Sequence, residues 1–283
     1  MRSGRLKAIT GKKFPQQLGV DVVGEVVRAG TQVSAYHPGD RVWGLSAPGS
    51  SIGTAAQYVT MPSERLSTAP ENLESIEAAS LLVGGTTSHT GLRDKARLQP
   101  GERLLVRGAG GGVGSVAIQI GKHLGAHVTA LANSTQDGAL RALRADEVVD
   151  YRSTPAAALD NYDVVFDTRG TELAAFRRHL SSTGRMVAIA LDAERPLRSL
   201  GYIVASTAFG RRRIRFFSGR PTRPLLEELR VLADDGTVRP VVQSTHPLGQ
   251  MVAAHTALEA GGVLGQIVID VTDQAPEAGG RHP

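Results

Sequence analysis

The chain has 283 residues, enough for two domains of ordinary size. The absence of cysteine excludes disulfides, thiolate zinc sites, iron–sulfur clusters and cysteine nucleophiles, and 4% aromatic residues leave few platforms for stacking bases or sugars. The net charge of +5 rests on 27 arginines and 5 lysines mostly interspersed with acids, a compositional skew rather than a nucleic-acid patch, and no uncharged run reaches membrane-spanning length.

The N-terminus, MRSGRLKAITGKK, is basic without an apolar core, so it is not a secretory signal. Its first acid is Asp21, a faint feature of transit peptides, and the expected location is cytoplasmic. Residues 18–66 read as short strands broken by glycines: LGVDVVGEVVRAG, PGDRVWGL and AAQYVTM, with a turn at Pro38-Gly39-Asp40. ESIEAASLL then has helical spacing, with Ser75 as cap and Glu74 and Glu77 in the early turns.

From residue 103 strands and helices alternate. The strand candidates are 103–108, 127–132, 147–151, 163–168, 185–190 and 213–218, the first five being short apolar runs of the kind buried on both faces. Helical segments SVAIQIGKHLG, GALRALRA and ELAAFRRHLS separate several of them, and Gly184 reads as the cap of the last. This pattern predicts an α/β protein with a doubly wound parallel sheet. A helix (LLEELRVLADDG), a strand (VRPVV), a helix (MVAAHTALEAG) and a strand (QIVIDV) follow, then a frayed tail. The densest basic cluster is Arg211, Arg212, Arg213 and Arg215, but RIRFF alternates like a strand, so nucleic acid is not expected as a partner.

The strongest motif runs from Arg107 through Gly108-Ala109-Gly110-Gly111-Gly112-Val113-Gly114, after the first strand of the alternating region and at the start of a helix. Its register is GxxGxxG, at Gly108, Gly111 and Gly114. Glycines allow a tight turn and close approach of a pyrophosphate, and the helix N-terminus offers free N–H groups, here from Gly112 and Val113. At the end of the second strand, Asn133, Ser134 and Thr135 form a neutral loop where NAD enzymes usually place an acid. That favours NADP(H) over NAD, although Asp137 lies just beyond.

In this order the motifs resemble the zinc-independent medium-chain dehydrogenase/reductases, specifically the quinone oxidoreductase (zeta-crystallin-like) branch. The match is carried by LGVDVVGEVVRAG…HPGDRVWG, the VGGTTSHTGL…LQPGERLLVRGAGGGVGSVAIQIGKHLGA block, ADEVVDYRS with YDVVFDT, and VLGQIVIDV. The resemblance implies a GroES-like β-barrel domain from residues 1–76 and 239–283, shortened at its N-terminus. A Rossmann nucleotide-binding domain over 77–238 and an active site in the cleft between the two are implied as well. Members transfer hydride from NADPH to quinones or enones and commonly form homodimers along the last nucleotide-domain strand. Thr87 matches a threonine near the nicotinamide and Tyr151 a tyrosine beside the adenosine 2′-phosphate. His89 replaces a usual aromatic and, with Thr87, is a candidate donor to a small-molecule substrate. Zinc-binding relatives carry Gly-His-Glu where this chain has Gly19-Val20-Asp21, so no metal is expected, and His123, His127 and His255 read as surface or core residues.

Three departures accompany the resemblance. The family's first several dozen residues have no counterpart here, which reads as a misplaced start, a fragment or a shortened enzyme with an opened cleft. The basic residue that often binds the 2′-phosphate falls at Thr135 or Gln136, leaving Arg141, Arg152 or Arg169 as substitutes. Arg144 stands where a glycine usually ends the helix, and Arg169 where an apolar residue sits in the DTxG loop. Two rival functions follow: a redox-neutral cyclase or dehydratase on the same scaffold, and a non-catalytic NADPH-binding protein.

Overall fold

Six strands carry the molecule's main sheet, in a computed structural model that describes residues 18–46, 53–208, 213–219 and 221–272. They are β4 (Arg103–Arg107), β5 (His127–Ala132), β6 (Glu147–Asp150), β7 (Tyr162–Asp167), β8 (Leu180–Ala188) and β9 (Ile214–Phe216). All pairings are parallel, in the spatial order β6-β5-β4-β7-β8-β9. Counted from β4 this is 3-2-1-4-5-6, the doubly wound order whose reversal of direction falls beside the first strand.

The apolar runs are explained by burial on both faces. On β4, Leu104 and Val106 join one core with Leu81 and Leu82 of α1 (Ser75–His89), Ile118 of α2 (Gly112–His123) and Leu229 of α6 (Arg223–Asp234). Leu105 faces the opposite core, with Val165, Met186 and Phe176 of α4 (Leu173–Arg178). Helices α3 (Asp137–Ala142) and α5 (Pro196–Ala208) complete the alternation. Arg144 adopts φ 72° just past α3, so it takes the left-handed position that glycine usually fills, and its guanidinium donates to the Thr237 carbonyl at 2.8 Å.

Two smaller sheets stand apart. Strands β1 (Asp21–Glu25), β2 (Arg41–Leu45) and β3 (Leu66–Thr68) form an antiparallel sheet, and β10 (Val242–Pro247) pairs in parallel with β11 (Gln266–Asp270), α7 (Met251–Ala260) lying between them in the chain. The small sheet is tied to α6: Arg223 donates to the Leu66 and Ser63 carbonyls, and Asp234 accepts from the Glu71 and Asn72 N–H groups.

Four local expectations are corrected. AAQYVTM is not a strand, because Leu66–Thr68 occupies the free edge of β2 and Tyr58 is exposed. The cap of α1 is Glu74, not Ser75: Glu74 and Glu77 form a reciprocal capping box, and Ser75 lies inside the helix beside Arg41. Gly184 does not cap α4; it sits inside β8 at an irregularity opposite Tyr162 and Val164, where a β-carbon would press on the Ser181 nitrogen at 2.8 Å. VRPVV yields a strand only from Val242, since Pro240 has no N–H and the Gln119 side chain holds both backbone groups of Arg239. The basic N-terminus, Arg211, Arg212 and the tail after Thr272 lie outside the described residues. Among the described residues, no helix is long and apolar enough to cross a membrane.

Candidate functional site

The buried strand β4 ends at Arg107, and the chain turns at Gly108 with φ +76°, a left-handed conformation that glycine adopts without strain. The N–H groups of Gly108 and Ala109 donate to the Leu131 carbonyl, and Gly111 donates back to Gly108 at 3.1 Å. Helix α2 begins at Gly112, so the first N–H groups after the turn have no acceptor within the helix. Gly114 passes against the turn: a β-carbon there would overlap the Gly108 carbonyl and lie 2.7 Å from the Ala109 Cα. Gly111 is different. It is extended, with φ −77°, and a β-carbon on it would meet only the Gly108 oxygen, at 3.5 Å.

That open face looks into a cavity of about 770 Å³ at the carboxyl ends of β4, β5 and β7. One wall is a strap just before β11. The Gly265 N–H donates to the Gly110 carbonyl at 2.7 Å, the Gln136 amide donates to the Gly262 carbonyl at 3.2 Å, and the Gln266 side chain lies against Gly112.

The floor is Arg107. It bonds to Asp167, to the Thr171 carbonyl and hydroxyl and to Glu172, and it lies 3.9 Å from the centre of the Phe176 ring. Burial lowers its proton affinity, against the pull of Asp167; burial raises that of Asp167, against the pull of Arg107. Asp167 also accepts from the Arg169 N–H at 2.8 Å and the Gly170 N–H at 3.3 Å, which holds the loop after β7 in place.

At the end of β5 the Asn133 side chain accepts from the Thr135 N–H at 3.2 Å. Asp150 is held below the ordinary carboxylate range by the Arg152 N–H and then by Ser134. The Arg152 guanidinium lies 5.9 Å from the Tyr151 ring centre.

Of the residues singled out from sequence, Gly108, Gly111, Gly112, Val113, Gly114, Asn133 and Tyr151 line this one cleft. Ser134 is not in the lining and turns toward Asp150. Thr87 and His89 are not in it either. Thr87 is half-buried on α1. His89 is buried beside a separate cavity of about 410 Å³, its Nε2 being 3.3 Å from Glu228 and 3.4 Å from Arg93. Burial lowers its proton affinity, with Glu228 opposing. Arg141 is paired with Asp137, whereas Arg169 lines the cleft. Sequence reasoning missed Arg107 as the floor and Gln266 with its strap as a wall. The position of Arg107 at the strand end was the only local signal for the first, and nothing local marked the second.

A glycine turn facing a cleft at the point where a doubly wound sheet reverses direction defines the dinucleotide-binding class of α/β proteins. Residues 1–71 match the family described as alcohol dehydrogenase GroES-like domain, and residues 143–269 that described as zinc-binding dehydrogenase. The chain is 32% identical over 289 residues to the human protein named NAD(P)H oxidoreductase RTN4IP1, mitochondrial, covering 93% of this chain and 72% of that one. It is 32% identical to the 2-methylene-furan-3-one reductase of Solanum lycopersicum, over 95% of this chain and 66% of the other. The quinone oxidoreductase structure from Coxiella burnetii superposes with a TM-score of 0.77 at 25% identity, covering 95% of this chain and 82% of that one. The chain belongs to the zinc-independent medium-chain dehydrogenase/reductases, a family of oxidoreductases, in the quinone-oxidoreductase branch.

Proposed function

We propose that the protein binds a nicotinamide dinucleotide in the cleft, NADPH in preference to NADH, and reduces a quinone or an activated C=C bond without zinc. The reading is carried by Gly111, whose missing side chain leaves space in the cleft rather than relieving a clash within the protein. A pyrophosphate laid there meets the N–H groups of Gly112, Val113 and Gly114 and the positive end of α2. Gly108 makes the turn, Asn133 and Tyr151 line the adenosine end with Ser134 behind them against Asp150, and Arg152, next to Tyr151 but outside the cleft lining, is read as the cation for a 2′-phosphate. The cofactor, when bound, supplies the hydride, while the protein binds, orients and excludes water. The names of the human and tomato relatives support NAD(P)H and an enone-type substrate.

The same reading divides the chain into a barrel domain from 1–76 and 239–283 and a nucleotide domain over 77–238. It also pairs two copies along β9, an edge strand of the large sheet, and keeps the cytoplasm as the location, although the human relative is named mitochondrial.

Titration of the folded protein with NADPH and NADH tests the reading. Micromolar NADPH binding is expected, with NADH at least about tenfold weaker, or ~1.4 kcal/mol. Gly111→Ala is expected to weaken NADPH binding at least about tenfold while the melting temperature moves by no more than about 2 °C, since alanine is compatible with this backbone and clashes with nothing in the protein. Binding of neither cofactor by folded wild-type protein overturns the reading, and turnover with no change in the nicotinamide points to the redox-neutral rival.

A further inference from the structure

Two arginines line the cleft, and the structure uses them differently. Arg107 is spent: its guanidinium is bonded to Asp167, Thr171 and Glu172 and covered by Phe176. Arg169 is anchored through its backbone, the N–H donating to Asp167 at 2.8 Å, with Thr168 bonded beside it to the Arg107 carbonyl through both its N–H and its hydroxyl. Its guanidinium enters none of the ion pairs or side-chain hydrogen bonds among the described residues. The stem crosses the glycine turn, with Cδ and Cγ 3.2 and 3.4 Å from the position a Gly108 β-carbon would take. The arginine stem is thus held over the first glycine of the turn, on a braced loop, in the cleft that Gly112 and Val113 of α2 also line.

We propose that Arg169 is the second half of a phosphate clamp, its guanidinium binding the dinucleotide's pyrophosphate across from the N–H groups of Gly112, Val113 and Gly114. The inference rests on the reading of the cleft as a nicotinamide dinucleotide site. The strand order decides which phosphate is meant. Asn133 and Tyr151 stand at the ends of β5 and β6, on the far side of β4 from β7. Neighbouring strands are about 4.8 Å apart, so the glycine turn is the phosphate position that Arg169 meets first. The planar fork of arginine suits two phosphate oxygens at once, where a lysine acts as a point charge. In this assignment Arg169 adds affinity for NADPH and NADH alike, and selection between them lies with groups at the β5 and β6 ends.

Arg169→Met keeps a stem over Gly108 and removes the charge. Binding of NADPH, NADH, ADP-ribose and 2′,5′-ADP to wild type and variant is measured by calorimetry, with melting curves to establish that both are folded. Dissociation constants for NADPH, NADH and ADP-ribose, which all carry the pyrophosphate, are expected to rise at least about tenfold, the scale of a charge-assisted hydrogen bond. The constant for 2′,5′-ADP, which keeps only the adenosine-side phosphate of that pyrophosphate, is expected to rise less than the other three. Arg169→Lys is expected to fall between wild type and Arg169→Met, and added salt to narrow the gap between those two. Losses confined to NADPH and 2′,5′-ADP move Arg169 to the 2′-phosphate and overturn the clamp. Unchanged binding in a folded variant also overturns it while leaving the dinucleotide reading intact. A wild type that binds none of the four ligands overturns the dinucleotide reading itself, and the clamp with it.

Discussion

Arg107 and Asp167 are direct partners across the parallel pair β4 and β7, and their side chains meet at 3.4 Å with Asp167 wholly buried. The pair joins the glycine turn to the loop after β7, because Asp167 braces that loop and Arg107 reaches Thr171 and Glu172. Removing one partner leaves a buried charge uncompensated, a loss of roughly 3–5 kcal/mol. Arg107→Met is therefore expected to lower the melting temperature by roughly 10 °C. Adding Asp167→Asn should restore part of the loss, and an additive double variant would show that the two residues are not coupled.

Gly114 and Gly111 separate packing from ligand contact within one motif. Gly114→Ala forces a methyl into the Gly108 carbonyl and the Ala109 backbone, an overpacking cost of about 1–3 kcal/mol. Its melting temperature is expected to fall by several degrees whether or not a nucleotide is present, whereas Gly111→Ala affects binding alone. Equal stability losses in the two variants would contradict this division.

Burial pushes the Asp21 carboxyl from 3.8 up to about 7, although the Val83 N–H of α1 donates to it at 3.0 Å. Between these values the folded protein holds a proton that the unfolded chain has released. Stability from this group is thus greatest near pH 4 and is lost as pH rises toward 7. Asp21→Asn keeps an acceptor for Val83 and removes the charge. Thermal unfolding is expected to show little difference near pH 4 and a more stable variant at about pH 8. A variant less stable than wild type at the higher pH would refute the assignment.

Arg152 lies just past β6, beside the cleft residue Tyr151. Arg152→Ala is expected to weaken NADPH at least about fivefold and NADH hardly at all, narrowing the preference. A parallel loss for both cofactors would assign Arg152 to some other part of the site.

His89 is held by Glu228 and Arg93 away from the glycine-lined cleft. His89→Asn is expected to lower the melting temperature and leave kcat within about twofold. For Thr87, half-buried on α1, Thr87→Val should reduce kcat more than it weakens the cofactor. A kcat that collapses in His89→Asn and survives in Thr87→Val would reverse the two roles.

Much of this protein was legible in its sequence because burial leaves a periodic trace. Runs such as LLV and VVF, apolar on successive residues, belong to strands covered on both faces, and the glycine turn between β4 and α2 is a local feature that its own residues specify. Arg144 stands where the family resemblance puts a helix-ending glycine, and it takes the left-handed position of that glycine. What only the tertiary structure decided depends on residues far apart in the chain. AAQYVTM has strand-like composition, but the edge it would need belongs to Leu66–Thr68. Gln136 meets Gly262 across 126 positions, and Arg107 meets Asp167 across 60. Arg169 faces the glycine turn only because β7 pairs beside β4. Local periodicity records which side of an element is buried; it does not record which distant element arrives to bury it, and that arrival is what assembles the cleft.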